Sequence, residues 1–268
     1  MPAAKTRKKP LLDVPVARRL GLKLVHPPGD VDEEFIRRVL VPYKLIRSYC
    51  RVSVEGLENV PGRGPVLIAA NHTGWLGLDY ANLAITLHDA TGRLPRGVVH
   101  PLWFKTRKIS DAAGRLGLVP ADKDLMVALL KRGKVVIIFP EAEQGAFKTA
   151  DEGPYRLLEF KRGFVRVAME ARVPILPVAI VGGEEANPIL ARLPLTDKVF
   201  RLPLPRPTNI LPKPVKWRIS FLPPIPMKAY GAKDAADRAL VHRIAKKVHT
   251  QIQDELEVQL EKRGHKYF

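Results

Sequence analysis

Five short apolar runs, separated by stretches of helical spacing, restrict the fold of this chain more than any other feature. The runs are RVSVEGL (51–57), PVLIAAN (65–71), RGVVH (96–100), KVVIIFP (134–140) and ILPVAIVG (175–182). Their length and richness in valine and isoleucine mark strands, and their near-continuous apolarity marks a sheet covered on both faces. Between them the apolar spacing predicts helices over residues 80–89, 123–132 and 155–171, the last carrying Leu158, Val165, Ala168 and Met169. The alternation predicts an α/β fold with a mostly parallel central sheet flanked by helices, extended by helices at its N- and C-terminal ends.

The flanking segments read differently. Asp32 to Tyr49 places Phe35, Ile36, Val39, Leu40, Tyr43 and Ile46 at helical spacing, with Pro42 expected to kink or split that helix. Ten prolines between Pro188 and Pro226 exclude a long regular element there apart from a strand over 216–222, and predict an excursion over the surface. From Asp234 to Arg263 the chain is helical again, with Leu240, Ile244, Val248, Ile252, Leu256 and Leu260 on one face. The organisation expected is a basic arm and amphipathic helix over 1–50, the α/β domain over 51–227, and a C-terminal helix packed on it over 228–268.

A formal charge of +18, from 45 Lys+Arg against 27 Asp+Glu, calls for an anionic partner or serves solubility alone. The clusters Lys5, Arg7, Lys8, Lys9, then Arg18, Arg19, Lys23, then Arg37, Arg38, Lys44, Arg47 adjoin the amphipathic helix, as contact with an anionic membrane surface requires. Trp75 and Trp103 with Phe104 are candidate interfacial anchors or pocket walls. No zinc-finger spacing or RNA-recognition sequence accompanies the charge, so nucleic acid is not an expected partner. One cysteine, Cys50, leaves no disulfide framework and no Cys-rich metal site. With no apolar run long enough to span a bilayer and no secretory signal, the expected location is cytoplasmic, peripheral on the inner face of the cell membrane.

Chemistry concentrates in AANHTGWLGLDYA (69–81), where a strand ends in Asn71 and His72, two glycines follow and Asp79 opens a helix. A histidine at a strand end can take a proton from an attacking hydroxyl, while a carboxylate on its other nitrogen fixes the tautomer. Three further ordered segments follow: LGLVPADKD (116–124), IIFPEAEQGAFK (137–148), and FKRGFVRVA with VPILPVAIVG (160–168 and 173–182).

Together these four blocks resemble the glycerophospholipid acyltransferases of the PlsC-like superfamily, whose signature is N-H-x4-D, over about residues 52–226. The resemblance implies a glycerol-3-phosphate acyltransferase-like fold and transfer of a fatty acyl group from acyl-CoA or acyl-carrier protein to a hydroxyl of a lysophospholipid or glycerolipid, with 1-acylglycerol-3-phosphate the first choice of acceptor. It implies no metal and no cofactor beyond that co-substrate. His72 is then the general base and Asp79 its orienting partner; Asn71, Lys123, Glu141 and Lys148 are candidate substrate-binding residues.

Two departures matter. The spacing here is H-x6-D, and two added residues would turn a helical carboxylate away by more than half a turn, unless Gly74 and Gly77 let the segment loop. After Phe139, Pro140 and Glu141 the usual glycine, threonine and arginine are replaced by Ala142, Glu143 and Gln144. The arginine that would fork onto a phosphate is gone, and only Lys123 or Lys148 could stand in. Glu141 could contact acceptor hydroxyls or hold the loop. The alternatives are a neutral acceptor, or an acyltransferase-fold protein that binds lipid without turnover.

Overall fold

The structure is a computed structural model that describes residues 21–22, 24–26, 30–74, 76–193, 195–196 and 204–267. The basic clusters at 5–9 and 18–23, and Trp75, lie outside the described residues. In chain order the elements are α1 (Glu33–Tyr49), β1 (Ser53–Glu55), β2 (Val66–Ala70), α2 (Leu78–Thr91), β3 (Arg96–Val99), α3 (Arg107–Arg115), β4 (Leu118–Pro120), α4 (Lys123–Lys131), β5 (Val135–Ile138), α5 (Ala142–Ala146), α6 (Gly163–Ala171), β6 (Ile175–Val181), α7 (Gly183–Ala186), β7 (Ile189–Leu193), β8 (Leu204–Pro207), β9 (Arg218–Phe221), α8 (Ala232–Ala236) and α9 (Arg238–Arg263).

Seven strands form one sheet in the order β1-β9-β6-β2-β5-β3-β4, parallel throughout except where β9 pairs antiparallel with β6. Its two faces follow the period of two along each strand. Leu67, Ala69, Val136, Ile175, Ala179 and Val181 face α4, α6 and α9, meeting Leu129, Val165, Ala168, Val248 and Ile252. The alternate residues, Ile68, Ala70, Ile137, Val178 and Ile180, face Leu83 and Leu87 of α2 and a layer around Trp217. Burial on both sides is why these strands read as unbroken apolar runs.

Several expectations are corrected. Helix α1 runs through Pro42 without splitting; Pro42 and Arg38 are exposed, so solvent can take the carbonyl that the missing N–H would have engaged. Residues 155–162 are not helical, and only Gly163–Ala171 is. Tyr155 has φ 61, and the Tyr155, Leu157 and Leu158 amides donate to Glu184, Gln253 and Glu141 side chains, partners a helix would not leave available. The C-terminal helix breaks at Asp237, whose carboxylate caps α9 through the Ala239 and Leu240 amides. Within the proline-rich segment β7 and β8 form a separate antiparallel hairpin, and β4 and α3 join the elements expected.

Phe164 on α6 is 1% exposed in the core beneath the sheet. Phe164→Ala is expected to cost about 3–5 kcal/mol in urea unfolding; a loss below about 1 kcal/mol would contradict this packing.

Candidate active site

The topology decides where a site can form. From β2 the chain moves through α2 to β3 and β4, whereas from β5 it moves the other way to β6. Strands β2 and β5 are neighbours, and the chain leaves their carboxyl ends in opposite directions, the arrangement at which sites form in α/β sheets. His72 follows β2 and Glu141 follows β5.

The His72 loop closes on Asp79 in spite of its added length. Gly74 and Gly77 take left-handed backbone, φ 88 and 68, so the segment loops and α2 starts only at Leu78. The fully buried Asp79 carboxylate then receives three donors: His72 Nδ1 at 2.6 Å, the Thr73 amide at 3.0 Å and the Tyr80 amide at 2.7 Å. The His72 ring lies nearly parallel on Phe139, centroids 4.3 Å apart. Its side chain keeps 21% exposure, and Nε2 makes no hydrogen bond among the described residues, so the ring is fixed at one end and open at the other. Phe139 gave no hint of this role in the sequence beyond its place in a motif.

Glu141, at the end of β5, is buried beside the His72 loop. Its Oε2 accepts from the His72 amide at 3.0 Å and its Oε1 from the Leu158 amide at 3.0 Å, so one buried carboxylate ties together the loops after β2 and β5 and the strand-like segment before α6. Lys148, its side chain 2% exposed, sits 3.7 Å from Glu141 and 2.7 Å from Glu184, and donates to the Arg156 carbonyl at 3.1 Å. Burial pushes the Glu184 carboxyl above the usual carboxylate range, with Lys148 opposing the shift. Beyond it, the Tyr155 hydroxyl donates to Glu185 at 2.7 Å and accepts from the Gly182 amide at 2.7 Å, and Glu185 is paired with Arg263 at the end of α9. Burial first, then Glu185 and Glu184, raises the Tyr155 phenol well above its ordinary value.

Of the six candidate residues, the structure brings Asn71, His72, Asp79, Glu141 and Lys148 into one region and leaves Lys123 elsewhere. Asn71 is buried with its amide bridging the Ile180 carbonyl (2.9 Å) and amide (2.7 Å), so it fastens the end of β2 to β6. Lys148 is buried between two carboxylates, Glu141 and Glu184. Lys123 opens α4 beside the edge strand β4, with its ammonium 2.9 Å from Glu170. Trp103 is 47% exposed while Phe104 belongs to a small core with Leu22, Ala113 and Leu118, so Phe104 is no surface anchor. Tyr155, Glu184 and Gly183 carried no sequence signal. An ideal Cβ on Gly183 would lie 2.3 Å from the Thr73 carbonyl, which explains that glycine after the fact.

A histidine fixed on a buried carboxylate, at diverging strand ends of a parallel sheet, places the protein among α/β proteins equipped with a His–Asp dyad. Residues 51–181, just under half of the chain, match the family model described as Acyltransferase. An uncharacterized protein of Mycobacterium tuberculosis is 34% identical over 222 residues, covering 78% of this chain and 62% of its own length, so the chain spans under two thirds of that relative. Phytyl ester synthase 2, chloroplastic, of Arabidopsis thaliana is 31% identical over 140 residues, 49% of this chain and 20% of that protein. The crystal structure of the 1-acyl-sn-glycerophosphate acyltransferase PlsC from Thermotoga maritima superposes with a TM-score of 0.57 at 20% identity, covering 87% of this chain and 84% of that one; it shares the fold.

Ala142 stands where the family motif usually has glycine and is held at φ 55, a left-handed backbone that costs a residue with a Cβ about 1–2 kcal/mol. Ala142→Gly is expected to stabilise by about 0.5–1 kcal/mol, and Gly183→Ala, pressed on the Thr73 backbone, to destabilise by about 1–3 kcal/mol. Thermal melts moving in the same direction for both would contradict this geometry.

Proposed function

We propose that the protein is an acyltransferase that moves a fatty acyl group from acyl-CoA or acyl-carrier protein to a hydroxyl of a lysophospholipid or glycerolipid acceptor. The observation that carries the reading is the His72–Asp79 pair at 2.6 Å with Nε2 left open. The acceptor O–H gives its proton to His72 Nε2 as its oxygen attacks the thioester carbonyl carbon. The C–S bond breaks when the tetrahedral adduct collapses, and the departing thiolate takes the proton back from the imidazolium. Asp79 holds Nδ1–H throughout, which fixes the tautomer and supports the transient cation. The thioester is already activated, so what remains for the protein is deprotonation and placement of the hydroxyl.

1-Acylglycerol-3-phosphate is the acceptor suggested by the PlsC-like resemblance. A neutral acceptor is the second reading, favoured by a specific observation: Lys148 and Lys123, the two lysines available to replace the motif's arginine, are both engaged with carboxylates. A relative named as a phytyl ester synthase supports the same direction.

An anionic membrane surface is the proposed partner, since both acceptors are lipids. On α1, Ile36 is buried and Tyr43 and Ile46 pack on the core, while Val41, Leu45 and Tyr49, four residues apart, form a second apolar stripe turned outward at 59%, 70% and 49% exposure. Exposed Arg37, Arg38 and Lys44 accompany it, the pattern of a helix lying in a lipid interface. No helix among the described residues is long and apolar enough to cross a membrane.

Thiol release from long-chain acyl-CoA or acyl-carrier protein, offered with lysophosphatidate, glycerol 3-phosphate or monoacylglycerol in turn, tests the activity and ranks the acceptors. His72→Ala is expected to lower turnover by about 10²–10⁴-fold with an unchanged melting temperature, and Asp79→Asn by a comparable factor through the wrong tautomer. Turnover that survives His72→Ala would remove the dyad from the mechanism, and lipid binding without turnover on any acceptor would leave a lipid-binding protein. Leu45→Asp is expected to weaken binding to phosphatidylglycerol vesicles by about tenfold; undiminished sedimentation would exclude the α1 stripe.

A further inference from the structure

A second group of exposed aliphatic side chains lies far from α1 in sequence and has no part in the core. In the proline-rich excursion Leu190 is 59% exposed, Leu195 76%, Ile210 75% and Leu211 82%. Their exposure is built in. The buried Asn187 amide donates to the carbonyls of Asn209 and Ile210 at 3.2 and 3.3 Å, and the Asn209 amide donates to those of Ala186 and Leu211 at 2.9 and 2.5 Å. The turn is therefore clamped from inside through its backbone while Ile210 and Leu211 project outward.

We propose that the β7–β8 hairpin and the Ile210–Leu211 turn form a second lipid-contacting surface, which seats the His72 site against an anionic membrane. This extends the membrane reading of α1. Three observations support a lipid occupant. The Asn209, Ile210 and Leu211 carbonyls are taken up by the Asn187 and Asn209 side-chain amides, and β8 carries Pro205 and Pro207 opposite Arg192 and Ile189, which lowers the number of amide donors that a contact at headgroup level has to satisfy. Exposed Arg206 lies in the same strand, placed to meet anionic headgroups, and a charge of +18 on each copy opposes self-association while favouring anionic lipid. The hairpin also grows from the strand ends that hold the site: it follows α7, whose Gly183 touches the Thr73 backbone beside His72, and Arg192 anchors it by donating to the Phe147 carbonyl at 2.9 Å and pairing with Glu152.

The test is a fluorophore on Leu211→Cys, read with vesicles of phosphatidylglycerol and phosphatidylcholine, beside co-sedimentation of the double variant Ile210→Ser, Leu211→Ser. Cys50 is buried and its thiol is pushed up to about 11, so the introduced thiol takes the label. The expected result is a blue shift on adding vesicles, with an affinity loss of at least about tenfold in the double variant and an unchanged melting temperature. Co-sedimentation with an unshifted label and unaltered binding by the double variant would overturn the hairpin surface and leave α1 as the contact. No co-sedimentation of the wild type would overturn both. A label already shifted without vesicles, in protein of dimeric mass, would assign the surface to a second copy and overturn the proposal.

Discussion

Burying both faces of a seven-stranded sheet confines polar chemistry to the strand ends. Along β2, β5 and β6 every side chain enters one apolar layer or the other, so a charged group could be accommodated there only at a large desolvation cost. The carboxyl ends of β2, β5 and β6 are where the chain leaves the sheet in different directions, and there the buried carboxylates, the buried lysine and the histidine collect. The site's location follows from the sheet's insulation.

Carboxylates perform structural work in that region that backbone pairing does elsewhere. Asp79 gathers two amides and an imidazole, Glu141 gathers amides from two separated loops, and Glu184 holds the Tyr155 amide while sharing Lys148. Loops without strand or helix partners must still satisfy their N–H groups, and a carboxylate with four lone-pair positions can satisfy several at once. The His72 backbone is fixed by Glu141 and its ring by Asp79 and Phe139, so the open nitrogen is held by three independent contacts. Through Lys148, Glu184, Tyr155 and Glu185 the same framework extends to Arg263 in the last turn of α9, which makes the C-terminal helix a buttress for the site.

The sheet was legible in the sequence because burial on both faces leaves an unmistakable apolar run, and the His72–Asp79 relation was legible because Gly74 and Gly77 offered a way to absorb two extra residues. Residues 155–162 misled because Leu158 continues the helical stripe of Val165, Ala168 and Met169; the Leu157 amide is drawn to Gln253, 96 residues away, and the Tyr155 and Leu158 amides to Glu184 and Glu141, which no local pattern records. Lys148 looks like any surface lysine until Glu141 and Glu184 close around it. The outward stripe Val41, Leu45 and Tyr49 was hidden because α1 is apolar on two sides and the sequence does not say which side finds the core.

The prolines of β8 also bear on strand addition at the hairpin's edges. A two-stranded hairpin standing apart from the main sheet has open edges, and an apolar hairpin with open edges is a template for intermolecular strand addition. Pro205 and Pro207 remove amide donors from β8, and the register shift between Ile189 and Ala191 interrupts the regularity of β7. The hairpin can therefore carry exposed leucines without nucleating a fibril, and aggregation of this protein should begin from some other segment.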